Sequence, residues 1–277
     1  MNPLRRLILS ALLALGAIFI LPGAASAWAP ADEATIHPGV QVFTNGGQCT
    51  SNFVFEDGTN VYLGQAAHCS GTGEATDTDG CSAGSLPIGS AIEVTGASRD
   101  GTLAYSSWNT MKANGETNAD ACAYNDFSLI RLDAADAGKV NPSVPGFGGP
   151  VALGNPGGFA SGVYSWGNSS LRQGIRLLSP KQGIVLRNEG NGWSHNVLTV
   201  TPGIPGDSGS GFLNASGQAF GTLSTLQFAP AAGSNGVGNL NRELNYMKSN
   251  VPGLSGVNLV PGTEPFTPNL VGAILNG

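Results

Sequence analysis

Short β-prone runs, cut apart by turn residues at nearly every step, constrain this chain more than anything else in it. Asn52-Phe53-Val54-Phe55 and Asn60-Val61-Tyr62-Leu63 flank Asp57-Gly58, two apolar runs around a turn dipeptide that together read as a hairpin. Further runs fall at 40–44, 91–94, 103–105 and 127–132, then at 162–165, 183–187, 197–200, 211–213 and 218–222. The connections draw on 42 Gly and 17 Pro in 277 residues, and the runs are too closely spaced for alternating βα units. They predict an antiparallel all-β sandwich or barrel, a class in which about 250 residues form one unit. One segment alone has helical spacing. Residues 239–250 set Leu240, Leu244 and Met247 on one face, and Pro252-Gly253 stops it.

The N-terminus places the chain in a compartment. Arg5 and Arg6 precede an apolar run, 7–21, and Ala25-Ser26-Ala27 supplies a small-x-small cleavage site, so 1–27 reads as an export signal. A membrane anchor needs about 20 apolar residues, and Pro22-Gly23 ends the run short of that. The Arg pair suits ordinary and twin-arginine export alike. Without Arg5 and Arg6 the 12 basic side chains fall to 10 against 18 acidic, a net charge of −8. An acidic chain with no Lys/Arg cluster lacks the footprint of a nucleic-acid binder. It also lacks the basic face that holds a protein to anionic lipid.

Cys49, Cys69, Cys81 and Cys122 all lie in the first half. In an exported chain an even count reads as disulfides, and four cysteines allow three pairings among which the sequence does not choose. No Cys-x-x-Cys pair exists to suggest a metal. The Pro/Gly-dense stretch 141–158 then separates this half from a Cys-free second half, as a seam between subdomains would. The tail 251–277, with Pro252, Pro261, Pro265 and Pro268, is either an arm on the domain or loose.

Beyond the signal the histidines are His37, His68 and His195. His68 follows Gly64-Gln65-Ala66-Ala67 and precedes Cys69. Ser208 sits in Pro205-Gly206-Asp207-Ser208-Gly209-Ser210-Gly211. A nucleophilic serine needs an exposed tight turn, and glycine lets successive backbone N–H groups converge on one developing oxyanion. Asp126 precedes an apolar run, which would hold its carboxylate at a barrel rim, whereas Asp133 and Asp136 follow that run among Ala residues and read as a turn. His37 and His195 read as structural. An α/β-hydrolase elbow needs Gly-x-Ser-x-Gly, and position 210 is Ser. The esterases that begin on Gly-Asp-Ser carry their histidine late, whereas His68 lies far upstream of Ser208.

Ala66-Ala67-His68-Cys69, Asp126-Phe127-Ser128-Leu129-Ile130 and Gly206-Asp207-Ser208-Gly209-Ser210 resemble the three signature blocks of chymotrypsin-like serine proteases, in that family's order. The bacterial secreted members are the most similar. The resemblance implies an all-β fold of two antiparallel six-stranded barrels packed face to face, over about 35–140 and 145–238, with a C-terminal helix at 239–250. The protease domain would span 28–250. Ser208 would be the nucleophile, His68 the general base and Asp126 its orienting partner. The N–H groups of Gly206 and Ser208 would form the oxyanion hole. The resemblance also implies a Cys49–Cys69 disulfide bracing the histidine loop, and with it Cys81–Cys122. Pro202 would lie at the base of the specificity pocket, with Ser224, Thr225 and Leu226 along the substrate strand. Neither metal nor organic cofactor is implied, and the partner is a polypeptide substrate met outside the cell by a monomer. An esterase on the same fold, and a latent or binding protein, are the alternatives.

Two departures from that family matter. No Ile-Val-Gly-Gly block follows the signal; the nearest stretch is Ala34-Thr35-Ile36-His37-Pro38-Gly39, so either Asp207 finds another partner or the N-terminus after Ala27 is used differently. Pro202 stands where an Asp would imply Arg or Lys specificity, and Leu226, where that family often has Gly, would narrow the pocket; together they point to small or medium apolar residues on the acyl side of the cut.

Overall fold

Asp57 closes the turn of the expected hairpin. Its Oδ1 accepts from the N–H groups of Thr59 (2.9 Å) and Asn60 (2.7 Å), and Gly58 takes φ +85°, a region open to glycine. A computed structural model describes residues 28–45, 47–74 and 77–277; the expected export signal, 1–27, lies outside them. The first half holds β1 (Gln41–Thr44), β2 (Gly47–Thr50), β3 (Val54–Glu56), β4 (Val61–Gln65), β5 (Ala91–Val94), β6 (Gly101–Ser106) and β7 (Ser128–Arg131). The second holds β8 (Gly162–Trp166), β9 (Pro180–Glu189), β10 (Ser194–Thr199), β11 (Gly211–Asn214), β12 (Ala219–Gln227) and β13 (Ser234–Asn239). Helix α1 (Ser107–Asn114) and helix α2 (Ala119–Tyr124) lie between β6 and β7, and α3 (Leu240–Asn250) follows β13. The tail adds β14 (Asn258–Leu259) and α4 (Leu270–Asn276).

The second half closes: β10-β13-β12-β11-β8-β9 is a six-stranded antiparallel barrel filled by Val163, Val185, Val197, Phe212, Phe220, Leu223 and Val237. The first half does not close, which corrects the expectation of two six-stranded barrels. Its order is β14-β3-β4-β7-β6-β5-β1-β2, an eight-stranded curled sheet around Val42, Val54, Leu63, Ile92, Leu103 and Ile130. Two strands account for the difference. β2 pairs only with β1, and β14 reaches back from the tail to cover β3, with Asn258 opposite Glu56. A third cluster joins the halves, with Phe53, Phe55 and Phe127 from the first, Trp166 and Leu213 from the second, and Leu240, Leu244 and Met247 from α3. The predicted stripe of that helix is thus its buried face.

α1, α2 and α4 were not legible as helices. α1 is set by its ends: the Ser106 hydroxyl accepts from Asn109 N–H, and Gly115 ends it at φ +62°. Cys49 is bonded to Cys69 and Cys81 to Cys122. Among the described residues no helix is long and apolar enough to cross a membrane.

Candidate active site

β4 and β7 lie side by side with Gln65 opposite Ser128. That register puts the turn after β4 beside Asp126, two residues before β7. The turn is a single 3₁₀ turn, Ala67–Ser70, tied through Cys69 to β2. His68 Nδ1 stands 2.6 Å from Asp126 Oδ2, and the His68 N–H donates to Asp126 Oδ1 at 2.8 Å. Ser224, on β12 of the other half, donates its hydroxyl to Asp126 Oδ2 at 2.5 Å. The carboxylate therefore takes three donors while only 6% of its side chain is exposed. Burial alone would raise the Asp126 pKa, but the His68 charge and these hydrogen bonds hold it below the ordinary carboxylate range. Burial works against the His68 charge, and the Asp126 charge and bond overcome it, leaving the imidazole pKa raised. With Asp126 on Nδ1, the Nε2 face of the ring is left for chemistry.

Ser208 follows a turn that glycine makes possible. Gly206 takes φ +94° and Gly209 φ +91°, and a Cβ on Gly209 would collide with Thr50 O. The turn is pinned by Thr50 N–H to Ser208 O (2.8 Å), Gly209 N–H to Leu223 O (2.7 Å) and Ser210 Oγ to Asp207 O (2.6 Å). His68, Gly206 and Ser208 line one cavity of about 620 Å³. Neither the Gly206 nor the Ser208 N–H donates to an acceptor among the described residues. Ser208 Oγ likewise makes no hydrogen bond to His68 there.

Asp207 is fully buried between two cations. Arg172 Nη2 lies 2.5 Å and Lys181 Nζ 2.9 Å from its Oδ2. Ser169 N–H donates to Oδ1 at 3.0 Å. Burial raises the Asp207 pKa, but the two cations bring it below the ordinary range, while burial pushes Lys181 down to about 8. Arg172, Lys181 and Ser169 escaped sequence reading because their contact with Asp207 spans 26–38 residues of unpatterned chain. The one available signal was a half with six basic residues against four acidic ones, which does not single out Arg172 and Lys181.

Ser224, Thr225 and Leu226 line the cavity, with Gly203, Ile204 and Pro205 facing them. Pro202 is not among the residues lining this cavity. Its carbonyl turns instead to Arg172 Nη2 (2.9 Å) and Lys181 Nζ (3.3 Å). Of the other acids weighed, Asp136 accepts from Ser98 and Arg99 N–H groups and Asp133 pairs with Arg99, so neither meets His68. His37 bonds Pro38 O, and His195 bonds Asn188 and Asn239.

No protein-family profile matches the chain, and no curated protein sequence does. Solved structures do. Protease A of Thermobifida fusca is 18% identical, with a TM-score of 0.53 over 82% of this chain and 99% of that one. A glutamic acid specific serine protease that uses a histidine triad in substrate binding is 16% identical, with a TM-score of 0.50 over 81% of this chain and 100% of that one. At these identities the likeness shows the fold: the chain has the fold of the chymotrypsin-like bacterial serine proteases.

Proposed function

We propose that this chain is an exported serine endopeptidase that cuts through an acyl-enzyme. The observation that carries the reading is the Asp126–His68 pair, 2.6 Å apart, at the wall of the cavity that Ser208 and the undirected Gly206 and Ser208 N–H groups also line. Ser208 Oγ attacks the scissile carbonyl. His68 Nε2 takes its proton and returns it to the leaving amine, and Asp126 holds the tautomer and stabilises the imidazolium. The two N–H groups receive the oxyanion, each contributing about 3 kcal/mol to the transition state. Water then repeats the sequence on the acyl-enzyme. Arg172 and Lys181 do for Asp207 what a new N-terminus does in animal enzymes, so the folded chain needs no cut to become active.

The acyl-side wall, Gly203, Ile204 and Leu223 to Leu226, carries no charge, and His68 is the one histidine on the cavity. That supports small or medium apolar residues before the cut, unlike the Glu-specific relative. Latency has one observation in its favour, the missing Ser208–His68 bond, yet such bonds are often long until substrate arrives. Labelling with a fluorophosphonate, beside Ser208→Ala, decides. Stoichiometric labelling that disappears in the variant is expected; a folded wild-type protein that does not react would overturn the reading.

A further inference from the structure

The Gly206 N–H serves as an oxyanion donor only if the Pro205–Gly206 peptide faces the right way, and glycine at φ +94° leaves that peptide free to turn over. In a trans peptide the C=O and N–H point to opposite sides. The Pro205–Gly206 bond is trans, the cis bonds among the described residues being Gly149–Pro150 and Ala229–Pro230. Its carbonyl accepts the Ser169 hydroxyl at 2.6 Å, so its N–H is directed away from Ser169. Ser169 is itself buried. One of its lone pairs is turned to Leu171 N–H (3.2 Å), its backbone N–H is held by Asp207, and its proton is thereby left for Pro205 O.

The next peptide is held as well. Gly206 O accepts from Gln48 Nε2 (2.9 Å) and Thr50 Oγ1 (2.7 Å), both on β2. Ser170 N–H donates to Gln48 Oε1 at 2.8 Å, which fixes the amide with its nitrogen toward Gly206. Two successive carbonyls of the turn are therefore gripped by three side chains, Ser169 and Thr50 from behind the cavity and Gln48 from its wall, and none of the three hydrogen-bonds His68, Asp126 or Ser208 Oγ.

We propose that Ser169 is a positioning residue which presets the oxyanion site by holding the Pro205 carbonyl, with Gln48 holding the Gly206 carbonyl in support. The inference rests on the hydrolase reading above. Turnover of the peptide in the absence of Ser169 removes one donor in a fraction of molecules and leaves His68, Asp126 and the acyl-side wall as they are. The effect therefore falls on reactions that place negative oxygen in the hole and leaves the titration of the base alone.

The test is the second-order rate of fluorophosphonate inactivation, whose phosphonyl oxygen occupies the same site, for wild type, Ser169→Ala, Ser169→Thr and Gln48→Ala, each with a thermal melt. Ser169→Ala is expected to react about 10- to 100-fold more slowly, short of the loss of about 10²–10³ on deleting a donor. Its melting temperature should stay near wild type, and the midpoint of its pH–rate profile should not move. Ser169→Thr, which keeps the hydroxyl, should return to within a few-fold of wild type, and Gln48→Ala should slow in the same sense. A Ser169→Ala that reacts at the wild-type rate overturns this proposal alone. So does a slow variant whose Thr counterpart is equally slow, or whose pH midpoint has shifted. A wild type that does not react overturns the hydrolase reading and this proposal with it.

Discussion

Asp126, just before β7, illustrates how one carboxylate is assigned its work by neighbours from two other places: His68 in the turn after β4 and Ser224 in the middle of β12. Replacing it by Asn keeps the shape but lets Nδ1 become the acceptor, which puts the proton on Nε2 where the base should be. Asp126→Asn is expected to lower kcat/KM by about 10⁴. The surviving rate should also change its pH dependence. Neutral His68 is the active form, so the rate rises with pH through the His68 pKa, which Asp126 holds raised. Removing the charge moves that limb to lower pH, a shift readable in a pH–rate profile. A different residue, Glu243, lies fully buried behind this group, its Oε2 accepting from Thr222 on the β12 face that also carries Ser224. Burial, then the Asp126 charge, raises its pKa to about 8. A raised folded pKa means stability present below the ordinary value of 4.5 and lost as pH climbs through 8. Glu243→Gln should flatten that loss, worth about 3–5 kcal/mol between those limits, in urea unfolding at a series of pH values. His68, Asp126 and Ser208 were legible because each sits in a short motif whose neighbours are its structural support. Glu243, Ser169 and Gln48 were not, since nothing in their local sequence says what folds against them.

At the scale of elements, legibility followed apolar content. Each run of Val, Ile, Leu or Phe became a strand within a few residues of where alternation placed it, but β13, Ser234-Asn235-Gly236-Val237-Gly238-Asn239, has one large apolar residue and went unread. It is a strand because β10 and β12 flank it on both sides and supply its backbone partners. Its small residues are needed there: Gly238 faces Glu243 Oε1, and a Cβ would occupy that oxygen's place. The junction of β9, the 3₁₀ turn Ser170–Arg172 and the nucleophile turn is the other element-scale device, since all three meet on Asp207. Asp207→Asn would leave two buried cations without their anion, a loss of about 3–5 kcal/mol. The depressed Asp207 pKa gives the same pair an acid limit, because its stabilisation is present above 3.8 and disappears as pH falls below it. The variant should therefore be less stable than wild type near neutrality and the gap should narrow in acid, which denaturant melts at pH 7 and pH 3 will show or refute.

Across the whole molecule, the tail decides whether the curled sheet has a bare edge. Without the tail, β3 would be an edge strand with unpaired backbone groups, and β14 covers it through Phe55 and Leu259. Beyond that strand the chain returns to the other half. Phe266 packs edge-on against Tyr164 with ring centroids 5.4 Å apart, and Ala273 of α4 is fully buried beside Gly146. Val257 and Val260 are buried in the tail too, one in the cluster that joins the halves and one in the first core. A tail that touches both halves behaves as a strap, and its removal acts on stability while leaving the cavity wall, which ends at Leu226, in place. Burial of Val257, Val260, Phe266 and Ala273 contributes about 5–8 kcal/mol at ordinary values per side chain. That is of the order of the whole net stability of a domain, about 5–15 kcal/mol. A chain ended after Asn250 should therefore melt at much lower temperature and aggregate through the exposed β3 edge. At a temperature where it remains folded, each molecule should still react with fluorophosphonate at a rate near that of the full chain. Equal melting temperatures would show that the tail only rests on the surface, and a folded but unreactive truncation would show that the strap also shapes the site.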